Sequence, residues 1–435
     1  MTHKLGLVTT MLVCINVILG AGIFINVFPL MDLCGGWAPL AYIMMGFLFL
    51  PLISVMSKLS KLYPSGGFYV FGSKELGDTV GFMATWSYFV GKLATGTLVI
   101  HTASSLIKEF FSPLQDMSVV TLDIYIIALF TGLNFFNMKI GGRIQIIFTI
   151  LKIFPLIFII GTGLSLFTGP THFIQSLDPE GWKDIVYAVP SIIFVYVGFE
   201  VCCSLSLRIK NPEKNLPKAI LMSFLCVILA ICLYQLGAFL SIGDHYEQIG
   251  SSFGMFLDIL HNRYQIPMPL AAHLNQFFIF CIIMSALGGG YGIIYSNTWN
   301  YYMLAKQGHT FFSKANTWMN NHQVPFICVL MEAGFCLFYI FLTKGSLFSL
   351  QSIGSFGIIV SYFLCCLAYT RHCFKAKCSK IMAFLSLAIC LVFMAICLKG
   401  VNDKSDVSFL WPLILLLSGF IMFYIRRAEN SKSMD

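Results

Sequence analysis

Apolar residues along this chain gather into long continuous runs, and nearly all the charge lies in the short connections between them. Runs of about 18 or more apolar residues are the mark of helices that cross a ~30 Å hydrocarbon layer. The pattern predicts twelve such spans, at roughly residues 5–31, 37–57, 80–108, 120–138, 143–168, 182–207, 217–242, 270–304, 323–343, 346–370, 381–398 and 407–425. Continuous runs of this length exclude a β-barrel, whose strands would alternate. Two of the spans carry interruptions. The first contains Gly20-Ala21-Gly22-Ile23-Phe24, where paired glycines, each weakening a helix by about 1 kcal/mol, invite the backbone to unwind. Unwound backbone at membrane depth must face protein or a water-filled cavity, so the stretch predicts a polar site; the alternative is close helix packing through small residues. The sixth carries Pro190 and then Phe194-Val195-Tyr196-Val197-Gly198-Phe199-Glu200. Interruptions at the start of two corresponding halves point to a transporter built from inverted repeats, with its site where the broken helices meet.

Composition removes the soluble alternatives. The 435 residues are 58% hydrophobic and only 11% charged, with a mean hydropathy of +0.83, more apolar surface than a soluble domain could hide. A net charge of +8 invites a nucleic-acid reading, but its distribution opposes one. With twelve spans and both ends on one side, nineteen Lys and Arg fall on the side of the termini and six on the other, with Lys92 and Lys152 inside spans. The positive-inside rule therefore places both termini in the cytoplasm; the charge faces membrane lipid and implies no nucleic-acid partner. Fifteen cysteines sit mostly inside spans, as small apolar fillers rather than bridges. The first run is too long for a signal peptide.

Charge inside the spans marks the candidate chemistry. A buried lysine costs a few kcal/mol or more unless it meets a cavity or a partner, which favours a functional reading of Lys152 and leaves Lys92 open. Glu200 follows the second interruption and reads as a gating or structural tie, while Glu332 reads as a paired structural residue. Residues 251–260 form a short amphipathic stretch, a candidate outer lid. No Walker loop, zinc-protease helix or nucleophile elbow is present, so no enzymatic activity and no cofactor are expected.

Several of these stretches together resemble the amino acid, polyamine and organocation transporters. The glycine run after Asn16-Val17-Ile18-Leu19 resembles that family's first-helix motif, and Tyr63-Pro64-Ser65-Gly66-Gly67-Phe68-Tyr69 with Gly77, Gly81, Phe82 and Trp86 resembles its inner loop. Gly198-Phe199-Glu200, the following Lys210-Asn211-Pro212 to Pro217-Lys218-Ala219-Ile220, Leu304-Ala305-Lys306-Gln307-Gly308 and Val324-Pro325 are similar in order and spacing to its later motifs. The resemblance implies an all-α integral membrane fold: a ten-helix core over 1–370, with repeats at about 5–168 and 182–370 and helices one and six broken, then two further helices and a short cytoplasmic tail over 371–435. It implies that backbone N–H groups at Gly20, Ala21 and Gly22 receive an amino acid's carboxylate, and that carbonyls near Ile18 and Phe194, Val195 and Tyr196 receive its ammonium. Phe194 matches a residue that covers substrate, Tyr291 is a further candidate, and Lys92 matches a position in the substrate site. Lys152 resembles the fifth-helix lysine that stands where sodium sits in sodium-coupled relatives, and could exchange a proton. The implied function is amino acid transport by alternating access in the inner membrane of a bacterium, by proton symport or exchange, as a monomer or homodimer. A membrane sensor that binds amino acids without moving them is the alternative.

Overall fold

Each apolar run becomes helical because a chain in hydrocarbon must satisfy its peptide groups within itself, and a helix does so locally. The computed structural model describes residues 4–20, 22–136, 138–167, 177, 181–242, 257, 259–402 and 410–432. In chain order the α-helices are α1 (Leu7–Ile18), α2 (Gly22–Ile25), α3 (Val27–Cys34), α4 (Ala38–Leu62), α5 (Gly67–Leu76), α6 (Asp78–Phe110), α7 (Val119–Asn134), α8 (Met138–Ser165), α9 (Ile185–Tyr196), α10 (Val201–Ser204), α11 (Pro212–Ile242), α12 (Met268–Lys306), α13 (Ser313–Asn316), α14 (Phe326–Thr343), α15 (Leu347–Lys375), α16 (Ile381–Asn402) and α17 (Leu410–Lys432). Isolated bridges such as Leu5 with Ile209 are the only β-pairing among the described residues.

Seven helical segments among the described residues are long and apolar enough to cross a membrane: Gly22–Leu62, Ile140–Ser165, Pro212–Ser241, Met268–Lys306, Phe326–Thr343, Ser349–Lys375 and Leu410–Glu429. Leu7–Ile18, Val119–Asn134 and Ile381–Cys397 are shorter apolar helices. The chain is a multi-pass membrane protein. Helix α6 lies at the centre of the bundle, where neighbouring helices rather than lipid surround it. That position explains why it can bury Thr85, Ser87, Lys92, Thr95, Thr97 and Ser104.

Small residues set how closely the central helices approach. A Cβ on Gly91 of α6 would lie 2.8 Å from the Gly354 carbonyl oxygen of α15, and one on Gly357 would lie 2.8 Å from the Ser87 carbonyl oxygen. Helices α8 and α11 touch in the same way, since a Cβ on Gly163 would come within 2.3 Å of the Gly237 Cα. Such backbone contact is how helices gain packing energy where lipid removes the usual hydrophobic drive.

Both expected interruptions occur. Helix α1 stops at Ile18, and the chain resumes as α2 only at Gly22. Helix α9 stops at Tyr196, and Gly198 takes a φ of +140° before α10 begins at Val201. The two breaks touch: a Cβ on Gly198 would stand 3.0 Å from Ile18 Cγ1, and one on Gly22 would stand 2.8 Å from Phe194 Cε1. The candidate lid falls largely outside the described residues; its end, Ile259 and Leu260, opens a π-helical turn that runs to Arg263.

Candidate functional site

A helix that stops inside the membrane leaves its last carbonyls without amide partners and concentrates negative potential there. Lys152, fully buried on α8, answers that need for α1. Its ammonium donates to the Asn16 carbonyl oxygen at 2.8 Å and to that of Leu19 at 2.6 Å. Ser285 of α12 donates to the same Leu19 oxygen at 3.2 Å. The Asn16 amide donates to the Gly288 carbonyl oxygen at 2.8 Å and to Gln145 Oε1. Gln145 and Lys152 are seven residues apart, two turns on one face of α8, so the same face braces the break twice. Gly289 makes the approach possible, because a Cβ there would stand 3.0 Å from the Gly20 Cα. Ala21 lies outside the described residues.

At the second break, Glu200 gathers three donors. Its Oε2 accepts from the Gly198 backbone N–H at 2.9 Å, and its Oε1 from the Tyr88 hydroxyl at 2.8 Å and from the Lys92 ammonium at 3.4 Å. Both charges of the Lys92–Glu200 pair are buried, at 1% and 0% exposure. A carboxylate here completes the unwound turn as a cap would, and Lys92 supplies the counter-charge that burial demands. The Lys92 ammonium is thus directed at Glu200, and two residues with separate expected roles form one ion pair between α6 and the break.

The remaining candidates divide. The half-buried Phe194 ring lies over Gly22 and, with Leu287, packs against the apolar group Val99, Ala103 and Ala286. Val195 is buried with its Cγ2 3.5 Å from where a Gly22 Cβ would stand. Ile18 packs on Gly198. Tyr196 turns the other way: its hydroxyl donates to the Tyr42 carbonyl oxygen at 2.7 Å, and its ring lies among Tyr42, Phe49 and Phe224. Tyr291 is buried between Phe130 and Phe148, with ring centroids at 5.5 and 6.3 Å, and its hydroxyl has no partner among the described residues. The side chains of Asn16, Gln145, Tyr88 and Ser285 were missed in the sequence reading; the only signal for them was their helical spacing to the named residues.

One end of the bundle is tied together by backbone and charge. The Leu5 N–H donates to the Arg208 carbonyl oxygen and the Lys210 N–H to that of Leu5, both at 2.8 Å, so the start of the chain is strapped to the segment after the second break. Gly67, at φ +56°, lets the start of α5 press on α10, where a Cβ would lie 2.7 Å from the Cys203 carbonyl oxygen. Glu75 accepts from Tyr63 at 2.5 Å and from Lys375 at 2.9 Å, and meets His372 Nδ1 at 2.9 Å. Burial works against the Glu75 charge, but hydrogen bonds from Tyr63, Lys375 and His372 outweigh it and hold the carboxyl below the ordinary carboxylate range. Beside this cluster the Tyr69 hydroxyl meets His309 Nε2 at 2.8 Å and Asp78 at 3.2 Å. Burial pushes the His309 imidazole below its ordinary value against the opposing pull of Asp78.

Two helix breaks thus lie in contact inside the bundle, one braced by the Lys152 ammonium and the other by the Glu200 carboxylate. The amino acid permease family matches the chain over residues 5–423. The D-serine/D-alanine/glycine transporter of Escherichia coli K12 is 23% identical over 97% of this chain and 94% of its own length. The aromatic amino acid transport protein of Salmonella typhimurium is 21% identical over 97% of this chain and 95% of its own length. An uncharacterised protein of Methanocaldococcus jannaschii is 27% identical over 52% of each chain, so the match spans about half the length of that relative.

Proposed function

We propose, since the chain belongs to the amino acid permease family, that it carries neutral amino acids across the inner membrane of a bacterium by alternating access. The observation that carries this reading is the contact between the two helix breaks, with Lys152 on the Asn16 and Leu19 carbonyls. In this reading the chain crosses the membrane twelve times, both termini are cytoplasmic, and residues 1–370 form two inverted repeats ahead of the last two helices. The backbone N–H groups at Gly20, Ala21 and Gly22 take the substrate carboxylate, drawn by the positive start of a half-helix. Carbonyls at Ile18 and Phe194–Tyr196 take its ammonium, and Phe194 covers the bound molecule.

Neutral side chains are favoured because Lys92 is satisfied by Glu200 and because Phe194 packs against the apolar residues Val99, Ala103 and Ala286. Two relatives matched over nearly the whole chain are named for D-serine, D-alanine and glycine and for aromatic amino acids, which supports the same class. Lys152 supplies a fixed cation where another carrier would bind sodium, so transport is sodium-independent, and its desolvated ammonium is the group that exchanges a proton. In this reading the strap at Leu5 and the Glu75 cluster lie on the cytoplasmic side.

The test is counterflow by purified protein in liposomes loaded with unlabelled neutral amino acids, with each labelled amino acid offered in turn, with and without an inward proton gradient. Accumulation that requires internal substrate identifies exchange, and gradient-driven uptake into empty vesicles identifies symport. Saturable binding with neither form of movement refutes transport.

A further inference from the structure

Glu332 of α14 is fully buried, and the sequence reading expected it to be a paired structural residue. Among the described residues it forms no ion pair. Its Oε2 shares a hydrogen bond with Thr298 Oγ1 of α12, Asn297 lies alongside, and Oε1 has no partner. The titratable groups that face it are Cys328 and Cys336 of its own helix. From α6 comes Thr97, beside Cys336, and from α12 Tyr301, beside Cys328.

Full burial without a counter-charge, and with Oε1 unpartnered, favours the neutral acid, and the hydrogen count at Thr298 accommodates it. Thr298 Oγ1 also bonds the Ile294 carbonyl oxygen of its own helix at 3.0 Å. A hydroxyl has a single hydrogen, and a backbone carbonyl can only accept. Thr298 can therefore serve only one of its two acceptors, and when it donates to Ile294 the hydrogen in its contact with Glu332 is the carboxyl's own. A neutral acid also leaves its free oxygen as a lone carbonyl, whose burial costs far less than that of an unpaired carboxylate.

The site is connected. Asn300 donates to Asn297 Oδ1 at 2.8 Å and to the Ser204 hydroxyl of α10 at 2.9 Å. Ser204 lies against the Tyr88 hydroxyl, which donates to Glu200. A buried polar string thus runs from α14 to the second helix break. We propose that Glu332 is a proton-binding site, occupied in this conformation, and that this string of hydrogen bonds couples its surroundings to the second helix break. The site is distinct from Lys152, and its proton does not depend on whether the protein transports amino acids.

The test is infrared difference spectroscopy of the full protein in lipid at neutral pH, which detects the carbonyl stretch of a protonated carboxyl. Subtracting Glu332→Gln from wild type should expose one such band, and Glu332→Asp should move that band rather than remove it. Asn300→Leu, which cuts the string, should shift the frequency of the Glu332 band, because the hydrogen bonds around the carboxyl change. Should Glu332→Gln fail to fold, the Asp variant decides alone, and an unmoved band overturns the site. A wild-type band unchanged in either variant also overturns it, and a band unshifted by Asn300→Leu overturns the coupling. Liposome counterflow is read separately, so loss of transport with an intact band bears only on the transport reading.

Discussion

Neutralising one member of the Lys92–Glu200 pair should cost far more than neutralising both. At 3.4 Å, with an effective dielectric constant of about 20, the gross attraction is ~5 kcal/mol, set against the expense of holding two charges at 1% and 0% exposure. Lys92→Met leaves a buried carboxylate with only Tyr88 and the Gly198 N–H as donors, and Glu200→Gln leaves a buried ammonium with no counter-charge. Each single change should lower stability by about 3–5 kcal/mol. In the double variant neither charge remains, and the Gln side chain can still accept from Tyr88 or Gly198. Its loss should be smaller than that of either single variant, a coupling of at least about 3 kcal/mol. Thermal and denaturant unfolding of the four proteins in one detergent–lipid mixture measures the cycle, with size-exclusion profiles to establish that each variant is monodisperse. Additive losses would refute the pairing, and so would a Lys92→Met protein as stable as wild type. Counterflow on the same samples tests the substrate assignment: a double variant that is folded and still selects neutral over basic amino acids places Lys92 in the scaffold of the break.

Lys152→Met leaves the Asn16 carbonyl oxygen without its 2.8 Å partner and Leu19 with only Ser285, so a stability loss of about 2–4 kcal/mol and a counterflow rate near background are expected; wild-type uptake that requires sodium would contradict the assigned role. Gly198→Ala puts a Cβ 3.0 Å from Ile18 at a φ of +140°, and should cost about 1–3 kcal/mol and abolish transport, whereas Gly132→Ala, where a Cβ meets nothing within 4 Å, should be neutral or better in both assays. The Glu75 carboxyl is held below its ordinary range, so its contribution to stability is present above the unfolded value of about 4.3 and is lost as pH falls through the folded one. Unfolding temperatures from about pH 6 to 3 should therefore fall more steeply in wild type than in Glu75→Gln, and parallel curves would remove the cluster as a source of acid sensitivity. His309 adds to the same trend: its folded value is depressed, so the stability of its neutral form is full above about pH 6.5 and declines below it, a component that His309→Gln should flatten.

Much of this protein was legible in the chain itself. Long apolar runs in a charge-poor sequence can only be membrane helices, because lipid offers no partner to a bare peptide group, and that constraint needs no knowledge of neighbours. Gly20 and Gly22 disclosed the first break for a similar local reason, since glycine weakens a helix, and Gly198, at a φ of +140°, marks the second. What tertiary structure decided was pairing. Lys92 and Glu200 lie 108 residues apart, and Lys152 reaches carbonyls 133 and 136 residues away, separations at which no periodicity carries a signal. Tyr196 follows Phe194 and Val195 in sequence, but the helical rotation between neighbours sends its hydroxyl to Tyr42 and leaves Phe194 over Gly22. Glu332 shows the limit most clearly, since a buried acid in a span can be paired or protonated. Only the packing of α14 on α12, which set Thr298 rather than a base against it, distinguished the two. Local physics determines which segments are helices and where they break, while the partner of each buried polar group is a property of the packed bundle.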